Sequence, residues 1–394
     1  MGSVNRAIAW LALASFASQA LVRTADTLLP QIAADFAVTA GVASIVITAY
    51  ALTHGSMQFI TGPIADRFGK YRTVALACAL SAISVALCGM AWSLQSLTFA
   101  RFISGATVAW ILPISLAYLG DVVPYEQRQQ VLGRFLAGQV LGQLFGQAAG
   151  GIIGDYFGWR TTFFALAAMF AGAAIALGIQ LATNPVTRTS RDAPKGLGPL
   201  ESYKIVLRNP WARVMLVAVG LEGMFFQGVF SYIGADLHYR FDLSFTAIGI
   251  IIGIFAVGGL VYAATVRPLM RKLGQIGIAN IGGLAMGVAF LTLAVQPLWY
   301  FAPLATLCVG FGFYMLHNTL QTEATQMVPE ARGTSVALFA SMYFLGQTLG
   351  VSLGAPVMDR YGAWPLFVIS AVVLPILGLW FTRRLKRRAS NRSA

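Results

Sequence analysis

Three ionisable residues occupy positions where a charge is costly. Asp26, Arg101 and Glu222 each lie inside a long run of apolar residues, and a charge in such a run is strongly unfavourable unless it is paired or hydrated. Arg23 and Asp26 are three residues apart, which sets both on one face of a helix. Asp26 also lies at a depth comparable to that of Arg101, so a cluster of Arg23, Asp26 and Arg101 is expected. A carboxylate whose proton affinity depends on a neighbouring cation is what proton exchange requires. The competing reading is a buried ion pair that fixes helix packing. Glu222 lies near the middle of its run among Met224, Phe225, Phe226, Phe230 and Tyr232, a setting suited to a cationic amphiphile or to a proton. Glu222, Phe226, Phe230, His317 and Glu323 form the expected substrate site. Glu323 is one to two turns from His317 and is open to two roles, a second protonation site or a contact with Arg332. His54 and His317 both lie on apolar helices, where a hydrogen-bonded packing histidine is the commoner case. Cys78, Cys88 and Cys308 fall singly inside apolar runs without metal-ligand spacing, so neither a disulfide framework, a metal site nor a cofactor is expected.

The elements that must hold these residues are membrane helices. Of the 394 residues, 57% are hydrophobic and 10% charged, against about 25% charged in soluble domains. Apolar runs mark twelve spans, near 7–30, 40–61, 73–91, 95–119, 130–153, 161–182, 211–235, 244–266, 276–295, 298–321, 333–356 and 364–382, each close to the ~20 residues that cross ~30 Å of hydrocarbon. The first run contains Arg23 and Asp26 and lacks a small-residue cleavage site, so it reads as a retained span. With the N-terminus cytoplasmic, 22 of the 27 Lys and Arg fall inside and three (Arg160, Arg240, Arg360) outside, which fixes the orientation by the positive-inside rule. The net charge of +13 is accounted for by this topological bias, and no nucleic acid is expected as a partner.

The chain is organised as an N-terminal six-helix bundle (1–183), a cytoplasmic linker (184–210), a C-terminal six-helix bundle (211–383) and a basic cytoplasmic tail (384–394). Pro, Gly, Ser and Thr between 184 and 199 predict a flexible connector. The halves are related. A shift of 204 residues lays 126–163 on 330–367 with eleven identities in 38 positions, among them Arg128/Arg332, Gly142/Gly346, Gly146/Gly350, Asp155/Asp359 and Gly158/Gly362. Two homologous halves place a substrate site at their interface near the bilayer midplane.

The segment GPIADRFGKYR, 62–72, reads as a tight basic turn between two spans, with Gly62 and Gly69 permitting a sharp reversal. It resembles the loop signature of the major facilitator superfamily, matching at Gly62, Asp66, Arg67, Gly69 and Arg72. The copy in the second half, VRPLMRKLG, has Arg271 where the acid would be. RFISGATVAW, beginning at Arg101, is similar to the family's fourth-helix signature. The fifth span, with Gly133, Gly138, Gly142, Gly146, Gly150 and Gly151, resembles the antiporter signature except that Gln147 stands in place of proline. GDYFGWRTTF looks like the family's outer loop before helix six. This resemblance covers the whole chain and points to the twelve-helix proton-coupled drug antiporters. It implies an all-α polytopic membrane protein of two pseudo-symmetric six-helix bundles, with Gly62, Asp66, Arg67, Gly69, Arg72, Asp121 and Arg128 at an inner gate. Gly138, Gly142, Gly146, Gly150 and Gly151 would line a groove for close helix packing, and Asp26, Arg101 and Arg23 would couple protons.

The expected function is secondary active transport in the bacterial inner membrane, with both termini cytoplasmic. Small amphipathic or cationic compounds would be exported in exchange for protons by alternating access, without enzymatic chemistry. No Walker-type loop occurs. Proton-coupled movement of sugars, amino acids or other metabolites is the alternative, although a neutral sugar site is expected to show more mid-membrane Asn, Gln and Trp than these spans offer. A non-transporting sensor or assembly partner is the alternative of another class. The expected partners are a small-molecule substrate, protons and the lipid bilayer, with the chain a monomer.

Overall fold

A computed structural model describes residues 2–188 and 198–393. Residues 189–197 of the linker and the side chains of Gly62, Asp66, Arg67 and Arg128 lie outside the described residues. Among the described residues the fold is all helical. The first half contains α1 (Gly2–Asp35), α2 (Ala40–Ala43), α3 (Ile45–Phe68), α4 (Lys70–Gly89), α5 (Leu94–Val108), α6 (Ile111–Val122), α7 (Tyr125–Phe157) and α8 (Trp159–Thr183). A linker helix α9 (Pro199–Arg208) precedes α10 (Pro210–Glu222), a π-helical segment (Gly223–Gly228) and α11 (Ile233–Phe241). The second half is completed by α12 (Phe245–Val295), α13 (Ala302–Ala324), α14 (Arg332–Tyr361) and α15 (Trp364–Ser393).

Ten helical stretches are long and apolar enough to cross a membrane. One of them, α12, is two spans joined at Gly274, whose φ of 61° and ψ of 176° break the helix. The remaining span is α7, 33 residues long, whose polar residues include Gln139, Gln143 and Gln147 in its middle. The chain is therefore a twelve-span, two-bundle membrane protein. Two spans are broken internally. In the fourth, Pro113 has no N–H to bond back to Ala109, and the freed Ala109 carbonyl instead accepts the Gln58 amide at 3.2 Å, leaving α5 and α6 distinct. In the seventh, the π-helical segment separates α10 from α11.

Two sequence expectations change here. The 62–72 segment is not an extended turn: α3 runs on to Phe68, α4 starts at Lys70, and Gly69 alone, at φ 84°, makes the reversal. One residue suffices because glycine enters the left-handed region without a Cβ clash, so Gly62 is helical. The linker also holds more order than its composition implies, because Pro199 starts a helix well and the Tyr203 hydroxyl of α9 donates to the Phe59 carbonyl at 2.5 Å.

The twofold repeat is explicit in the packing. A Cβ on Gly142 or Gly146 would collide with the backbone of Phe16 or Ala20 of α1. In the second half, a Cβ on Gly346 or Gly350 would collide with the backbone of Gly220 or Met224. Every one of these positions is 204 residues from its counterpart. The helix ends follow the same rule. Asp155 at the end of α7 accepts hydrogen bonds from the Phe245 and Thr246 amides at the start of α12, at 2.9 and 2.6 Å. Asp359 at the end of α14 accepts from the Gly41 amide and the Thr39 hydroxyl at the start of α2, both at 2.7 Å. Each carboxylate caps an N-terminus belonging to the other bundle, where its charge opposes the helix dipole. Gly151 lies against Phe245 and Gly249 just beside the first cap. Together these contacts close one end of the molecule. The opposite end, which carries Lys70, Arg72, α9 and the basic stretch of α15, opens into a cavity.

Candidate functional site

The cavity has a volume of about 910 Å³ and lies between α1 and α7 on one side and the second half of the chain on the other. Its roof is the pseudo-twofold axis. Arg23 of α1 donates there to the Gln227 side chain, and the two residues are 204 positions apart, so each occupies the other's place in the repeat. Tyr343 of α14 donates to the same Gln227 oxygen at 2.6 Å. Arg23 also pairs with Asp26 at 3.2 Å, one turn on, and its guanidinium lies 4.8 Å from the centre of the Phe230 ring. Asp26 is buried and its Oδ1 has no hydrogen-bond partner among the described residues. Pro30 sits one turn beyond it in α1 and has no N–H to return to the Asp26 carbonyl, against which Gly234 of α11 packs closely.

Of the expected coupling cluster, the structure joins Arg23 and Asp26 directly, while Arg101 stays within electrostatic range of Asp26 without touching it. Arg101 is 1% exposed. Its Nε donates to the Val46 carbonyl at 3.3 Å and its guanidinium lies 4.1 Å from the centre of the Tyr50 ring. No ion pair joins it to Asp26 among the described residues. Instead it ties the fourth span to α3 through a carbonyl and a cation–π contact.

The expected substrate residues divide in the same way. Glu222 is fully buried and does not line the cavity, because His317 stands in front of it, Nδ1 to Oε2 at 2.7 Å. Phe226 and Phe230 are fully buried behind the wall, where Phe226 stacks on Phe313 at 4.4 Å between ring centroids. His317 and Glu323 do line the cavity. Glu323 is held by Gln275 at 3.1 Å and Arg388 at 3.0 Å, so its basic partner comes from the C-terminal helix and not from Arg332. His54 packs between Tyr50 and Phe344, with ring centroids 5.4 and 4.3 Å away.

The cavity surface holds residues that sequence reasoning passed over. Gln19, Gln139, Gln143, Gln227 and Asn318 line it together with Tyr314 and Tyr343. The expectation that the spans offer few amides at this depth was mistaken. The available signal was four glutamines in otherwise apolar helices, each as costly to bury unpaired as any neutral polar group. Of the residues expected at a gate, Asp121 pairs with Lys70 across the ends of the fourth and third spans. Gly69 makes the turn, while Gly62, Asp66, Arg67 and Arg128 lie outside the described side chains. Gly142, Gly146 and Gly151 are in tight helix contacts, Gly150 has the Thr24 methyl at 3.4 Å from a would-be Cβ, and Gly138 faces open space. Gln147 is buried at the α7–α12 contact with neither amide atom bonded among the described residues.

Known proteins share these features. Residues 11–351 match the model of the Major Facilitator Superfamily. An uncharacterized MFS-type transporter, YceJ, of Bacillus subtilis (strain 168) is 27% identical over 328 residues, covering 83% of this chain and 82% of the relative. A probable sugar efflux transporter of Mannheimia succiniciproducens is 25% identical over 377 residues, covering 94% and 91%. In three dimensions, the crystal structure of the nucleoside transporter NupG superposes with a TM-score of 0.78 at 16% identity, covering 96% of this chain and 99% of that one.

Proposed function

The chain belongs to the Major Facilitator Superfamily, and from that premise we propose that it is a proton-coupled secondary transporter of the bacterial inner membrane that exports small, hydrogen-bonding amphipathic compounds by alternating access. The observation that carries the reading is a cavity closed at one end by two carboxylate caps and open at the end rich in Lys and Arg. With basic loops facing the cytoplasm, the cavity is open to the cytoplasm and sealed from the other side. Asp26, paired with Arg23 at the roof, is the first candidate for the coupling proton.

The chemistry of the walls favours uncharged substrates. Asp26 is committed to Arg23, Glu222 is screened by His317, and Glu323 is held by Arg388. Among the described residues a permanent cation would find no free carboxylate in the cavity, while amides and tyrosine hydroxyls present donors and acceptors beside aromatic faces. A relative named for sugar efflux supports the same substrate class. The test is proton release from purified, reconstituted protein challenged with neutral polyols, sugars and nucleosides on one side and quaternary ammonium dyes on the other. Responses confined to the neutral set are expected; responses confined to the dyes would overturn the assignment.

A further inference from the structure

Glu222 has an unusual environment even for this protein. Its Oε1 has no hydrogen-bond partner among the described residues, and its Oε2 has one, the His317 Nδ1. A carboxylate withdrawn this completely from water is strongly disfavoured as an anion unless a donor or a proton compensates it. Its hydrogen-bond partner, the His317 imidazole, lines the cavity. That ring is 16% exposed on the cavity side and is fixed by Phe313, Tyr343 and Phe339, with centroids at 4.7, 5.1 and 5.4 Å. The backbone adds a second observation. The six residues that follow Glu222 form a π-helical turn, a rare geometry that concentrates at functional sites. It sets Gly223 against the backbone of Tyr343 and Gln227 on the axis beside Arg23. The ionisable groups around Glu222 are few. His317 faces it from α13 and Tyr343 from α14, and α15 meets α10 through Arg388 only at Trp211, eleven residues and so three turns away.

We infer that Glu222 and His317 form a proton-binding site of the second half, separate from Asp26, in which His317 carries the proton between the cavity and the carboxylate. A proton arriving at Nε2 converts the neutral ring, with its hydrogen on Nδ1, into imidazolium. The Nδ1 hydrogen then passes to Oε2. The products are a neutral Glu222 acid that donates to Nδ1 and a neutral ring with its hydrogen on Nε2, a net gain of one proton by the pair. Release runs the same two transfers backwards. This rests on the proton-coupled reading of the cavity and adds a second site to it. It also explains why an acid that no substrate in the cavity can touch stays ionisable.

The experiment is infrared difference spectroscopy after a pH jump, on full-length protein in vesicles of phosphatidylethanolamine and phosphatidylglycerol. Wild type should show carboxylic-acid carbonyl absorption that grows on acidification. Glu222→Gln should remove one component of it, and Asp26→Asn should leave that component in place. His317→Gln should keep the Glu222 component but slow its appearance at least tenfold; His317→Phe, which preserves the ring stack, serves if the glutamine variant does not assemble. A difference spectrum that Glu222→Gln leaves unchanged, or a Glu222 component that forms at the wild-type rate without His317, overturns the inference. Loss of proton coupling itself would register differently, as wild-type vesicles in which no neutral compound evokes proton release while the infrared band still titrates.

Discussion

The two halves of the chain share a frame and differ in their chemistry. Glycine contacts at Gly146 and Gly350 and carboxylate caps at Asp155 and Asp359 repeat at a spacing of 204 residues. On the axis, the same spacing sets Arg23 opposite Gln227. Asp26 corresponds to Phe230, Glu222 to Ser18 and His317 to Pro113. Duplication has thus been kept where backbones must approach and where ends must close, and abandoned along the central cavity. A symmetric frame permits either end to open by the same motion, whereas the centre presents different side chains from the two halves.

The frame and the centre can be broken separately. The largest effect is expected from Gly350→Leu, which forces a side chain into the Met224 carbonyl and Gly228; little folded protein should be recovered by gel filtration, and Gly146→Leu should match it. At the centre the halves should diverge. Arg23→Ala strands a buried Asp26, and breaking a buried pair costs about 3–5 kcal/mol. Gln227→Ala, at the equivalent position, removes a neutral acceptor worth about 1–3 kcal/mol. Thermal melting should rank them in that order, and transport should be lost only in the first. Next comes Asp155→Ala combined with Asp359→Ala. At about 1 kcal/mol per cap, the pair should shift the balance between closed and open ends by about thirtyfold, read as faster thiol labelling of a cysteine placed at Leu353. The smallest effect belongs to Glu323→Gln at the part-buried rim, where the Arg388 pair is worth about 1 kcal/mol; a large loss of melting temperature there would mean that the rim, too, belongs to the frame.

Much of the frame was legible in the chain, because twelve apolar runs, a basic end and a glycine repeat follow from solvent and steric requirements that act locally. Arg23 and Asp26 were legible as a pair for the same reason, since three residues on a helix fix their relation. Arg101 was not. Its partners, Tyr50 and the Val46 carbonyl, come from a helix about 50 residues earlier, and a carbonyl acceptor leaves no mark in side-chain chemistry. Glu222 was legible as a buried acid near the middle of its span, but not as one behind His317, which comes from α13, 95 residues later. The glutamines of α7 were overlooked because they are uncharged, although Gln139 and Gln143 line the cavity.

Alternating access around an asymmetric centre is tested most directly by spin-label distances across both ends in nanodiscs. One pair would span Val42 and Leu353 at the capped end, and another Arg72 and Arg332 at the basic end, each followed from alkaline to acidic pH. Alternating access predicts opposite changes, with one distance growing as the other shrinks, and no such change in Glu222→Gln combined with Asp26→Asn. Two distances that stay fixed, or that grow together, would contradict it.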